Sequence, residues 1–134
     1  MKSGCWCLMR EGSTELVVRD LIVADSFWTR LAGLQFRRKL PPESALLLVP
    51  GGSIHTIGVL FSLDVVMLDR AGMVLEVRRG VPPFRVVAAP KGTHAVLEMV
   101  AGSCTLVRNE KLQVVARRES PVAPLPRSLQ FLLC

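Results

Sequence analysis

Two runs of Val, Leu and Met, at 63–69 and 73–79, flank the tripeptide Arg70-Ala71-Gly72. Apolar, β-branched runs joined by a short Gly-containing turn predict a hairpin. A continuous apolar run at 45–49, between Pro42 and Pro50-Gly51-Gly52, predicts a strand buried on both faces. The run TELVVRDLIVA at 14–24 predicts two short strands, or one irregular strand, divided at Arg19-Asp20. Further strands are expected at 53–56, 84–88, 95–100, 105–107 and 112–118, with turns at Pro90-Lys91-Gly92, Ala101-Gly102 and Arg108-Asn109-Glu110. Residues 57–61 show no clear period, and a bend is expected at Gly58.

One segment carries a helical period. Asp25-Ser26 offers an N-cap, and Phe27, Leu31 and Leu34 recur at helical spacing while Thr29, Arg30 and Arg37 fall on other sides. This predicts a short helix near 26–36, held by its Phe27/Leu31/Leu34 face, weakened at Gly33 and stopped by Pro41-Pro42. Short strands at intervals of roughly 8–12 residues and a single helix predict a mainly β (α+β) domain. Its form is expected to be a small barrel-like or sandwich sheet of about 7–9 strands. Within the chain, 1–12 read as a flexible leader, 13–118 as one β-rich domain and 119–134 as a Pro-rich apolar tail.

Composition sharpens this picture. In 134 residues, half are hydrophobic, mean hydropathy is +0.39, Tyr is absent and aromatics make up 5%. A large aliphatic core is implied and disorder is excluded. Net charge is +6 and the pI near 9.8, which favours polyanions in general. The basic residues are scattered as Arg37-Arg38-Lys39, Arg78-Arg79 and Arg117-Arg118 without interleaved aromatics, so they read as solubilising charge and nucleic-acid binding is not expected. No apolar run approaches the roughly 18 residues of a membrane span, and the N-terminus does not read as a cleavable signal. A cytoplasmic protein is the expectation.

The four cysteines, Cys5, Cys7, Cys104 and Cys134, read as reduced thiols, because Cys5 and Cys7 are too close for an ordinary disulfide or zinc knuckle. Zinc would require Cys5 and Cys7 to meet Cys104, His55 or His94 in space, and no metal or other cofactor is expected. The tail could pack back onto the domain, bind a partner or touch a membrane.

Candidate chemistry lies where polar groups enter apolar strands. By alternation Asp64 shares a face with Val66 and Leu68, and Glu98 shares one with Val96 and Val100. Buried carboxylates need partners, so the two are expected to anchor one polar network with Arg85, or with Arg30 or Arg37. His55-Thr56 adds a side-chain type that changes charge near neutrality beside a hydroxyl. No catalytic triad order, metal-binding His spacing, phosphate loop or dinucleotide fingerprint accompanies them.

The order R-x-x-G-L, S-I-H-T, L-D-V-V-x-L-D and L-E-x-x-A-G, with PPFRV between the last two, resembles domain-of-unknown-function family 192 of bacteria and archaea over about residues 16–115. The matching positions are Arg30, Gly33, Leu34, Arg37, His55, Thr56, Asp64, Asp69, Gly72, Arg85, Glu98 and Gly102. The resemblance implies a compact β-rich domain with a short helix, and no reaction. Ile57, Val59 and Ser62 depart from the Phe, Met and Pro of similar sequences, and Arg108-Asn109-Glu110-Lys111 replaces their Gly-Asp turn.

The expectation is therefore a non-enzymatic binding or accessory module whose His55, Thr56, Asp64, Arg85 and Glu98 converge at one end of the sheet, for a small molecule or protein partner. The alternatives are a small hydrolase-like enzyme with Asp64 orienting His55, and an envelope or membrane-surface protein acting through its basic faces and the apolar tail.

Overall fold

A computed structural model of the chain describes residues 4–35, 37, 39–117 and 124–133. The side chain of Phe27, together with Arg38, Arg118, Pro121 and Cys134, lies outside the described residues. In chain order the strands are β1 (Trp6–Arg10), β2 (Leu16–Val18), β3 (Asp20–Ala24), β4 (Ser44–Leu48), β5 (Ile54–His55), β6 (Leu63–Leu68), β7 (Val74–Val81), β8 (Val86–Val87), β9 (Ala95–Val100) and β10 (Leu112–Ala116). One α-helix, α1 (Phe27–Ala32), follows β3, and a 3-10 helix, Arg127–Leu132, ends the described chain.

The expected hairpin is β6–β7, and the main sheet grows from it in the order β3-β4-β9-β6-β7. β3 and β4 are parallel, from Asp20 opposite Ser44 to Ala24 opposite Leu48, and α1 lies in the connection between them. The remaining pairings are antiparallel. A second sheet runs β10-β1-β2, and β5 pairs with β8 over two residues. The domain is mainly β as expected, but the five-stranded sheet stays open between β3 and β7, so the barrel-like form is not adopted.

Both faces of this sheet are covered, which explains why β4 after Ser44, and β6 apart from Asp64, read as apolar runs. On one face Leu21, Leu47, Leu97, Val66 and Leu68 pack with Leu8, Leu112 and Val114 of the second sheet. On the other, Ile22, Leu46, Leu48, Val65 and Val96 pack with Leu34, Leu40 and Val59. Each such side chain, fully buried, contributes about 1.5–3 kcal/mol.

Four expectations change. The stretch expected to be a leader contains β1, the middle strand of its sheet, paired to β10 and β2. The tail was expected to lie outside the 13–118 domain, but its described part, 124–133, packs back onto it, with Leu129 and Leu132 fully buried and Ser128 bonded through its hydroxyl to Asp25 at 2.8 Å. Residues 105–107 form no strand, although Leu106 is buried. Finally, α1 does not hold itself by Leu31, which is 56% exposed. The helix starts at a Ser26–Thr29 capping box and stops after six residues at Gly33, whose φ of 49° and ψ of −130° suit glycine. That turn drops Leu34, beyond the helix, into the core. Among the described residues no helix is long and apolar enough to cross a membrane.

Candidate functional site

Asp64 is satisfied entirely by backbone. Opposite it the β6–β7 register slips: Leu63 faces Val81 and Val65 faces Arg78, so Arg79 and Gly80 share one place. Asp64 Oδ1 accepts from Gly80 N–H at 2.9 Å, while Oδ2 accepts from Gly102 N–H at 2.9 Å and Cys104 N–H at 3.1 Å. The carboxylate, 1% exposed, thereby staples the bulge of β7 to the loop after β9. Three charge-assisted bonds account for its burial without an arginine.

Thr56, fully buried, is also a brace. Its Oγ1 donates to Pro82 O at 2.7 Å and accepts from Arg85 N–H at 2.8 Å, and its own N–H donates to Arg85 O at 2.8 Å. Arg85 contributes its main chain to this junction, and its exposed guanidinium turns back to Phe84 O at 3.4 Å. The expected Arg85–carboxylate pair does not form.

Glu98 differs from both. In β9 it stands opposite Leu46 of β4 and Val65 of β6, whereas Asp64 stands opposite Met99. Neighbouring positions on a strand point to opposite faces, so the two carboxylates lie on opposite sides of the sheet and cannot share a network. Glu98 is 4% exposed, and no described residue forms a hydrogen bond or ion pair with its carboxyl. Among the described residues no fully enclosed side-chain nitrogen or oxygen lacks a partner, so the unbonded Glu98 oxygens keep some accessible surface, toward the cavity that the residue lines. Burial pushes this carboxyl up from 4.5 to about 7.

The cavity holds about 300 Å³ and lies between the sheet, the end of α1 and the 50–55 turn. Glu98 forms its floor; Leu34, Leu48, Ile54 and Val59 form apolar walls; Arg30, Gln35 and the exposed His55 stand at the rim. Arg30 Nη1 donates to Pro50 O at 3.1 Å, and Gln35 Nε2 to Ile57 O at 3.1 Å, tying the helix end to both roof segments. Gly51 lets the roof approach the sheet, because a Cβ there would stand 2.6 Å from Leu48 O and 3.2 Å from Val96. Ser53 Oγ accepts from Ala89 N–H at 2.9 Å.

Of the five expected ligand-binding residues, the cavity collects His55 and Glu98. Asp64, Thr56 and Arg85 are elsewhere, and Asp64 is not placed to orient His55. Conversely, Gly33 and Leu34, expected as a structural signature, and Arg30, expected also as a possible partner of the two carboxylates, line the cavity beside Gln35 and the 50–53 turn. Asp69 and Gly72 shape the β6–β7 turn: Asp69 Oδ1 accepts from Ala71 N–H at 2.8 Å and Met73 N–H at 3.0 Å.

Among the described residues no three His, Cys, Asp or Glu side chains gather to hold a metal. Cys7 donates its thiol to Arg19 O at 2.9 Å, and burial raises the thiols of Cys7 and Cys104 above their usual range. The ring of His94 stands edge-on to Phe131 at 4.9 Å.

The family profile described as an uncharacterized ACR, DUF192, matches residues 8–113. The chain belongs to the DUF192 family. No curated protein matches it. Two solved structures share its fold. One is a candidate transcription regulator of Sinorhizobium meliloti 1021, with 18% identity and a TM-score of 0.73, covering 84% of this chain and 94% of that one. The other is a protein of unknown function from Novosphingobium aromaticivorans DSM 12444, with 18% identity and a TM-score of 0.70, covering 83% of this chain and 84% of that one. In this DUF192 domain the motif residues separate by task. Arg30, Gly33, Leu34, His55 and Glu98 surround the cavity, whereas Thr56, Asp64, Asp69 and Gly102 fix turns and loops. Among the departures, Val59 forms part of the cavity wall.

Proposed function

We propose that this DUF192 domain is a non-enzymatic binding module that takes a small, largely apolar molecule bearing a hydrogen-bond donor into the cavity over Glu98. The observation that carries this reading is the buried carboxyl without a protein partner. Burying a carboxyl unpaired costs stability, and a donor on a ligand recovers that cost on binding. The volume of about 300 Å³ lies at the small end of ligand pockets, and the mixture of aliphatic walls with few polar groups is typical of them. Around the cavity, Ser53 Oγ is engaged by Ala89 and no described carboxylate is bonded to His55, which favours binding over hydrolysis.

The test is a set of small alcohols, amides and amines added to ¹⁵N-labelled protein. Amide shifts confined to the helix end, the 50–55 turn and Glu98, and lost in a folded Glu98→Leu variant, are expected. Shifts scattered over the surface, or unchanged in that variant, would refute the reading.

A further inference from the structure

The cavity opens at the end of the molecule where exposed apolar side chains concentrate. Among the described residues, six of the nine large exposed hydrophobic ones are Trp28, Leu31, Ile57, Leu60, Phe84 and Val86, each more than half exposed. They belong to three segments held side by side. Gln35 bonds to Ile57 O, His55 pairs with Val86 across β5–β8, and Thr56 is bonded to Phe84 and Arg85. Phe84 has φ of 62°, rare for a residue with a side chain, and is 75% exposed behind the rigid Pro82-Pro83. A strained backbone that presents an aromatic ring to solvent is a mark of function more often than of stability.

Charge follows the same segments. Residues 26–40, 53–62 and 80–88 contain five Lys or Arg and no Asp or Glu. The rest of the chain holds twelve against eleven, so these segments carry nearly all of the net +6.

We propose that this end is a peripheral membrane-binding face that inserts its apolar side chains into the interface of a bilayer containing anionic lipid. Aromatic and aliphatic prongs among cations, with no acidic residue, match the requirements of interfacial attachment. Nucleic acid would use the cations yet leave Leu31, Ile57, Leu60 and Val86 in water. A second copy docked face to face would set Arg37, Lys39 and Arg85 against the same cations. The attachment differs from the one expected for the tail, where Leu129 and Leu132 are consumed by the core.

The full chain is tested by flotation with vesicles of phosphatidylcholine alone and of phosphatidylcholine with about one-third phosphatidylserine, at low and near-physiological salt. Flotation with the anionic vesicles only, weakening with salt, is expected. Leu60→Ser with Phe84→Ser should lower partitioning about tenfold or more. Lys39→Gln and Arg85→Gln should each lower it roughly fivefold. All four side chains are exposed, and a Trp6→Phe background lets Trp28 fluorescence report insertion as a blue shift. Because the face is independent of the cavity floor, Glu98→Leu should leave flotation unchanged. Absence of flotation at low salt, equal flotation of all variants, or retention by duplex DNA or an acidic protein without vesicle binding would overturn the proposal.

Discussion

Asp64 and Glu98 occupy adjacent strands of one sheet, and both are almost wholly shielded from solvent. Asp64 receives three backbone N–H bonds, whereas Glu98 receives none from any described residue. The difference arises from register. Asp64 is paired with Met99, so its neighbour across the strands, Glu98, points through the other face. One face closes over the carboxylate with a bulge and a loop. The other leaves a cavity of about 300 Å³ above it. A buried carboxylate is thus a structural part when the backbone meets its oxygens, and a candidate site when nothing does.

The sharpest way to break this contrast is to remove each carboxyl and compare signs. Asp64→Ala leaves the N–H groups of Gly80, Gly102 and Cys104 without their acceptor, and a loss of about 3–5 kcal/mol in urea unfolding is expected. A loss below about 1 kcal/mol would mean the staple is dispensable.

Glu98→Gln should have the opposite sign above neutrality. Its folded carboxyl titrates near 7 against 4.5 when unfolded, so the native state holds its proton more tightly. Stability contributed by that proton is complete below about 4.5 and is lost as pH rises through about 7. At pH 8 the variant should therefore exceed the parent by up to about 3 kcal/mol, relative to their difference at pH 4. Urea unfolding of both proteins across that range measures it. A difference that does not change with pH would place Glu98 with Asp64.

Smaller effects separate brace from rim. Thr56→Val deprives Pro82 O and Arg85 N–H of a partner and should cost about 1–2 kcal/mol in thermal or urea unfolding. His55→Ala, at an exposed rim position, should change stability by no more than about 0.5 kcal/mol while weakening any fragment found by the amide-shift titration. Equal losses in both would erase the distinction between Thr56 and its neighbour.

Much of this arrangement was legible in the chain. The apolar run of β4, and that of β6 interrupted only by Asp64, announce a sheet covered on both sides, and Arg70-Ala71-Gly72 announces its hairpin. Period-2 alternation correctly groups Asp64 with Val66 and Glu98 with Val96. It cannot say which residue of one strand lies beside which residue of another, and that long-range register sends the two carboxylates apart. Helical spacing groups Leu31 with Leu34, but the helix ends at Gly33, so Leu34 turns into the core while Leu31 stays exposed. Trp6–Arg10 was missed because five residues without clear alternation show no strand signal until β10 supplies the partner. Gln35 and the Gly51-Gly52 turn became visible as cavity walls only once the chain between β3 and β5 had folded over the sheet.

The central claim, that Glu98 is a protonatable carboxyl facing a cavity, is tested most directly by ¹³C NMR titration of the glutamate side-chain carboxyls, with Glu98→Gln assigning the resonance. A midpoint near 7 for Glu98, shifting when a bound amine or alcohol fragment is added, is the predicted result. A midpoint near 4.5, unmoved by any fragment, would contradict the account.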